Sequence, residues 1–217
     1  MDGMNFPISH LSSAFGLSAS AGLNAWIPLL LVSIMANRGV LHLNAPYDVM
    51  GTWWCITILA ILCIAELVVD KIPGADHVND AIQTVVRPTA GAILFASQTG
   101  VIPSSSVHPG VWVAIGLLTA GGVHAAKAVV RPPLNVATVG LAAPVVSTVE
   151  NVATATLSLV AIIAPLLVLF VMALFGYMAF RALRHFFLRN PPGRFTVVQV
   201  REVRILVPPV ITPPAEG

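Results

Sequence analysis

Three stretches of this chain contain almost no charged side chains and are as long as a lipid bilayer is thick. They cover residues 52–70, 109–130 and 152–180. A helix needs roughly 20 mostly apolar residues to cross the hydrocarbon core of a bilayer. Each stretch satisfies that requirement, so we predict that the chain crosses a membrane several times.

The composition of the chain supports the same prediction. Apolar residues make up 57% of the 217 positions, and charged residues make up only 9%. A soluble domain usually has about 25% charged residues, because water must solvate its surface. We therefore expect lipid to be the partner that solvates most of this chain.

Other apolar segments are less regular. Residues 12–36 begin with small and polar side chains and become strongly apolar only from Trp26. Residues 88–102 are too few for a confident crossing and predict a short, tilted or re-entrant helix. Residues 135–151 are interrupted by Pro144. The predicted fold class is all-α, a polytopic transmembrane helical bundle with broken or re-entrant helices.

The charge pattern divides the chain into two parts. Residues 1–185 are predicted to form the multi-pass membrane domain, and residues 186–217 a basic cytoplasmic tail with one short strand followed by a disordered end. Basic residues near a membrane-spanning segment favour the cytoplasmic side. We interpret them as a topology signal beside anionic lipid rather than as a nucleic-acid site. The basic residues concerned are Arg181, Arg184, Arg189, Arg194, Arg201 and Arg204.

The middle of the chain contains ionisable side chains at regular helical spacing. Ionisable groups at membrane depth are costly, so they are candidates for an ion or ligand pathway. Spacings of three and four residues place such groups on one helix face. They form stripes on successive predicted helices: Glu66 and Asp70; Asp76, Asp80, Gln83 and Arg87; His124, Lys127 and Arg131; and Glu150 at the start of the last helix.

A short sequence recurs in the two halves of this region. Val-Val-Arg-Pro occupies both 85–88 and 129–132. Broken helices that recur in two halves are typical of transporter binding sites. An internal repeat in which each copy closes a polar stripe is one interpretation, and accidental recurrence in a valine-rich chain is the other.

Each charged residue also has a purely structural explanation. Asp76 follows Pro73-Gly74 and would serve equally well as a helix N-cap. Arg87 and Arg131 would serve as counter-ions for the acids. His124 is harder to explain structurally, because the other faces of its helix are apolar, and a titrating or hydrogen-bonding role is favoured. Asn24 is predicted to satisfy backbone groups freed at a helix break.

Motifs of common enzymes are missing from the sequence. There is no HExxH, GxSxG, phosphate-binding loop or CxxC. An all-oxygen site formed by Glu66, Asp70 and Asp76 would suit a hard cation, but no metal is assigned. We expect no cofactor, and the sequence does not favour an enzyme.

The chain resembles a bacterial membrane family known as domain of unknown function 4126. The resemblance rests on AGLNAWIPLL at 21–30, ELVVDKIPGADHVNDAIQTVVRPTAG at 66–91, HAAKAVVRPPLN at 124–135 and STVEN at 147–151. It implies a multi-pass protein of the bacterial inner membrane and implies no activity.

The preferred functional hypothesis is a small ion- or proton-linked transporter or channel-like protein, with its site between the polar stripes. One alternative is a non-transporting membrane protein that uses the charges to stabilise its fold and binds a partner. The other is an intramembrane enzyme acting on lipid head groups, with His124 as the base. A homodimer is predicted because about five spans form a thin bundle.

Overall fold

The computed structural model describes residues 5–70, 75–99, 107–137 and 143–171, together with the helical positions 173, 174, 177, 181 and 184. The side chains of residues 5–7, 75–80, 130–137 and 143 lie outside the described part. The tail predicted at 186–217, with its short strand, lies wholly outside it.

All regular structure in the described ranges is helical, which confirms the all-α prediction. The apolar composition and the period of the polar stripes both favour helices over strands. The elements are α1 (Asn5–Leu23), α2 (Trp26–Asn37), a 3-10 helix (Tyr47–Gly51), α3 (Trp53–Val69), α4 (Ala75–Thr99), α5 (Pro109–Ala137) and α6 (Ala143–Ile163).

Local side-chain chemistry sets several helix ends. Asn24 Oδ1 accepts hydrogen bonds from the amides of Trp26 and Ile27, so it caps the first turn of α2 as predicted for the break after α1. Thr52 Oγ1 accepts from the amide of Cys55 at the start of α3. Gly39, with a φ of 70°, follows α2 in the left-handed conformation that commonly ends a helix.

Helix α1 lies at the centre of the unit formed by Met1–Phe175 and packs against α4, α5 and α6. Small residues allow the close approach of α4 and α5 beside it. A Cβ atom added at Gly116 would lie 2.6 Å from the carbonyl oxygen of Gly91. Ser18 Oγ donates a hydrogen bond to the Gly116 carbonyl oxygen at 2.8 Å, which links α1 to α5.

The structure corrects several predicted boundaries. Residues 12–36 are two helices, α1 and α2, because the chain breaks at Asn24. Residues 88–99 are not a separate re-entrant helix but the second half of α4, which continues through Pro88. The long apolar segment predicted at 152–180 begins earlier, since α6 starts at Ala143 and ends at Ile163.

Both Val-Val-Arg-Pro sequences lie inside helices rather than at their ends. Helix α4 runs to Thr99 and α5 runs to Ala137, beyond the prolines at 88 and 132. A proline removes one backbone donor, and packing on neighbouring helices offsets that loss. The helices therefore do not break at these prolines, and the interpretation that each copy closes a polar stripe in an internal repeat remains a prediction.

Two described helices are long and apolar enough to cross a membrane, judged by length and composition: Pro109–Val129 and Pro144–Ile163. Trp26–Asn37 and Trp53–Val69 are apolar but shorter. These helices are consistent with a membrane protein.

Candidate functional site

Three buried ionisable side chains from three helices meet inside the protein. Arg87 on α4 donates from Nη2 to Oε1 of Glu66 on α3 at 3.1 Å. Its Nη1 atom lies 3.2 Å from Nδ1 of His124 on α5. The side chains of Glu66 and Arg87 are each only 1% exposed. We call Glu66, Arg87 and His124 the buried triad.

The hydrogen bonds of the buried triad define the tautomer of His124. A guanidinium group only donates hydrogen bonds, so Nδ1 of His124 must accept from Arg87. The remaining ring nitrogen, Nε2, then bears the proton of the neutral imidazole and donates to Thr84 Oγ1, which is 3.3 Å away. Arg87 therefore bridges a carboxylate and a neutral imidazole.

Three polar atoms of neighbouring side chains have no hydrogen-bond partner within the described part of the chain. They are Oε2 of Glu66, Oε1 of Gln83 and Nε of Arg87. Gln83 is buried and lies one turn before Arg87 on the same face of α4. Buried polar groups are normally hydrogen-bonded, because an unmade bond costs about 1–3 kcal/mol. Two of these atoms belong to the ion pair itself and the third lies one turn away on α4, so the described side chains leave room for a small polar species at this site.

A second ion pair lies close to the break between α1 and α2. Nζ of Lys127 is 2.8 Å from Oε2 of Glu150 and donates at 2.9 Å to the carbonyl oxygen of Leu23. This carbonyl belongs to the last residue of α1, where helix carbonyls lack intrahelical partners. Lys127 thus joins α5 to α6 and to the end of α1.

Further polar contacts extend from the two ion pairs along α6. Ser147 Oγ donates to Oδ2 of Asp70 at 3.1 Å. Asn24 Nδ2 donates to Oδ1 of Asn151 at 3.0 Å. Ser158 Oγ donates to Ser20 Oγ at 2.9 Å. Helix α6 therefore presents a polar face to α1 and to the end of α3.

Most of the predicted site residues take part in these contacts. Glu66, Arg87 and His124 form the buried triad, Lys127 pairs with Glu150, and Asp70 bonds Ser147. For Asp76, Asp80 and Arg131, the structure describes the backbone within α4 and α5 but not the side chains, so the predicted pathway role of all nine residues remains a proposal.

The sequence interpretation missed Thr84, Ser147 and Asn151 as members of this region. Each lies at a spacing that a helical pattern makes visible. Thr84 and Ser147 come three residues before Arg87 and Glu150, and Asn151 follows Glu150 directly. Hydroxyl and amide groups are common enough in this chain that spacing alone did not distinguish them.

The described residues contain no group of three or more His, Cys, Asp or Glu side chains that could hold a metal ion. Glu66 and Asp70, proposed from sequence as part of an all-oxygen site, instead contact Arg87 and Ser147. The side chain of Asp76, the third proposed ligand, is outside the described part.

The pairing of Lys127 with Glu150 leads to a first prediction. We expect Lys127→Met and Glu150→Gln each to lower stability, because each removes the opposite charge from beside a mostly buried ionised partner. A double-mutant cycle should give a coupling energy of about 1–3 kcal/mol, measured by denaturant titration in mixed micelles. A coupling energy near zero would show that the pair does not stabilise the fold.

The model of one protein family matches residues 11–185 of the chain; the family is described as a domain of unknown function, DUF4126. The chain belongs to this family. The match includes every residue of the buried triad and both members of the second ion pair. Comparison with curated proteins and with solved structures finds no match. The family match therefore gives the extent of the DUF4126 domain in this chain. It implies no activity for the buried triad.

Proposed function

We propose that this chain is a multi-pass membrane protein that conducts or transports a small ion, with proton-linked movement through the buried triad. The distribution of polar groups supports the membrane part of the proposal. Helix α3 exposes Trp54, Ile58, Ile61 and Ile64, with Trp54 81% exposed, whereas Glu66 on the same helix is buried. An apolar outside around a polar interior is the arrangement that lipid solvation favours.

The lengths of the other helices support more crossings than the two within Pro109–Val129 and Pro144–Ile163. Helix α3 has 17 residues, which give about 26 Å of rise. This is close to the hydrocarbon thickness, and helices slightly too short are accommodated by local thinning of the bilayer. Helix α1, with 19 residues, gives about 28 Å of rise by the same measure. We propose a cell-membrane location with the C-terminus in the cytoplasm and a homodimeric assembly.

The transport part rests on one observation: among the described residues, Oε2 of Glu66, Nε of Arg87 and Oε1 of Gln83, one turn before Arg87 on α4, have no hydrogen-bond partner. A pair that only stabilised the fold would be most favourable with all of its hydrogen-bonding groups satisfied. Intramembrane charges that pair with one another and line a polar interior commonly mark ion or proton pathways. The buried triad has both properties.

Ion flux into liposomes tests this proposal. Purified protein is reconstituted, and gradients of protons, sodium, potassium and chloride are imposed one at a time, with an internal fluorescent indicator for each. We expect flux of at least one ion with the wild type and at least a tenfold loss with Glu66→Gln. Asp48→Asn is the matched control, since Asp48 is an exposed carboxylate in the 3-10 helix.

The outcomes separate transport from the structural alternative. The absence of flux of every tested ion from a folded wild-type protein contradicts the transport proposal. The Lys127 contacts specifically favour the structural alternative for the second pair, because Lys127 has both a carboxylate and a backbone carbonyl as partners. We therefore assign the second ion pair to stabilisation of the α1–α5–α6 contact.

A further inference from the structure

In the buried triad, Glu66 and His124 both contact the same cation, the guanidinium group of Arg87. Nη2 of Arg87 bonds Glu66 and Nη1 bonds His124, so the guanidinium group is shared between a carboxylate and an imidazole. Arginine does not lose its proton under accessible conditions, but both of its partners can gain one. A proton on either partner changes that partner's bond with Arg87.

The unpartnered atoms have the hydrogen-bonding pattern of a water molecule. Oε2 of Glu66 and Oε1 of Gln83 are acceptors, and Nε–H of Arg87 is a donor. A single molecule that satisfied all three would have to donate two hydrogen bonds and accept one. Water does this, whereas a hydronium ion donates three hydrogen bonds and does not accept the one from Arg87.

A metal cation fits the same atoms poorly. Hard cations such as calcium take six to eight oxygen ligands, and magnesium takes six. Among the described side chains only two acceptors are unpartnered here, and the fixed positive charge of Arg87 is 3.1 Å from the Glu66 carboxylate. The Nε–H group would also point its hydrogen at the metal.

We propose that the ion bound at this site is a proton, taken up by Oε2 of Glu66 from water that Gln83 and Arg87 orient. This inference rests on the proposed function and specifies its ion. In the uptake step the bound water gives one proton to Oε2 and takes one from a hydronium ion arriving from the solvent, so an O–H bond forms on Glu66 and two neutral water molecules remain. The carboxylate becomes a neutral acid, and Arg87 retains its proton, its charge and its bond with His124. Release is the reverse transfer to water.

Other charged groups border the triad on every helix packed around it. Asp70 lies one turn after Glu66 on α3, Lys127 one turn after His124 on α5, and Glu150 on α6 pairs with Lys127. Asp76 and Asp80 precede Gln83 on α4, with side chains outside the described part. Glu66 differs from these described carboxylates because its second oxygen has no partner, so it is the proton acceptor that we assign.

Infrared difference spectroscopy tests the proposal without requiring transport. Spectra of the reconstituted protein are compared across a pH titration. A protonated carboxylic acid gives a carbonyl stretching band that carboxylates lack and that shifts in deuterium oxide. We expect this band with the wild type and with Asp48→Asn, and we expect Glu66→Gln to remove one band. Glu66→Asp, which keeps a carboxyl group, should move that band to a different frequency.

Added sodium, potassium or calcium should leave the Glu66 band unchanged at constant pH. Loss of the band on addition of one of these cations overturns the assignment of a proton and favours a metal ion. An identical carbonyl region in wild type, Glu66→Gln and Glu66→Asp overturns the assignment of Glu66. A Glu66 band without any ion flux in liposomes would support proton uptake at this site and contradict only the transport function.

Discussion

Arg87→Met is expected to lower the free energy of unfolding by about 3–5 kcal/mol, because removal of one member of a buried ion pair leaves the other charge uncompensated. Glu66 would lose the donor to Oε1, and His124 would lose the donor to Nδ1. Both side chains are buried, so bulk water does not screen the charge left on Glu66. Denaturant titration in mixed micelles, followed by tryptophan fluorescence, measures the change.

The control for Arg87→Met is Arg38→Met, which removes an exposed arginine just after α2. Exposed substitutions of this kind usually change stability by less than about 0.5 kcal/mol. The double variant Glu66→Met with Arg87→Met should recover most of the loss, since a buried pair can be replaced by apolar residues at little cost. Equal effects of Arg87→Met and Arg38→Met would contradict the buried pairing.

Gly116→Ala should destabilise the protein by about 3 kcal/mol, the upper range for overpacking. The added Cβ would lie 2.6 Å from the Gly91 carbonyl oxygen and 2.8 Å from Cα of Ala92. Both are backbone atoms, so no side-chain rotation relieves the contact and α4 must move away from α5. The bond between Ser18 and the Gly116 carbonyl would weaken with the same movement.

Gly122→Ala is the matched control, because a Cβ added at Gly122 meets no atom within 4 Å. Alanine is favoured over glycine inside a helix by about 1 kcal/mol, so this variant should be as stable as the wild type or more stable. The comparison uses the same substitution on the same helix and the same titration. If both variants were equally stable, the close approach of α4 and α5 would be wrong.

Helical spacing predicted much of the candidate site. Glu66 lies in the last turn of α3, and Asp70 directly follows the helix. Both side chains are buried, as the four-residue spacing predicts. The spacing of His124 and Lys127 likewise placed both on the inner side of α5. What spacing did not predict is which helix each stripe contacts, since tertiary pairing is set by packing between distant segments. The bridge from Arg87 to both Glu66 and His124 is a contact of that kind.

Helix boundaries were predicted less well than helix content. Pro88 suggested a break, but α4 continues through it, because the buried face formed by Ala90, Leu94 and Phe95 packs against α1 and α5. Asn24, by contrast, was predicted to satisfy freed backbone groups and does so at the amides of Trp26 and Ile27. The difference is that a capping side chain acts locally, whereas the cost of a helical proline depends on its neighbours.

Flux through the Glu66→Met, Arg87→Met double variant most directly tests whether the buried triad moves ions or only stabilises the fold. This variant removes both charges while stability is largely recovered, so loss of folding does not confuse the result. We predict a folded protein, verified by denaturant titration, whose proton flux in liposomes is at least tenfold below that of the wild type and of Asp48→Asn. A folded double variant with wild-type flux would contradict the assignment of the buried triad as the transport site.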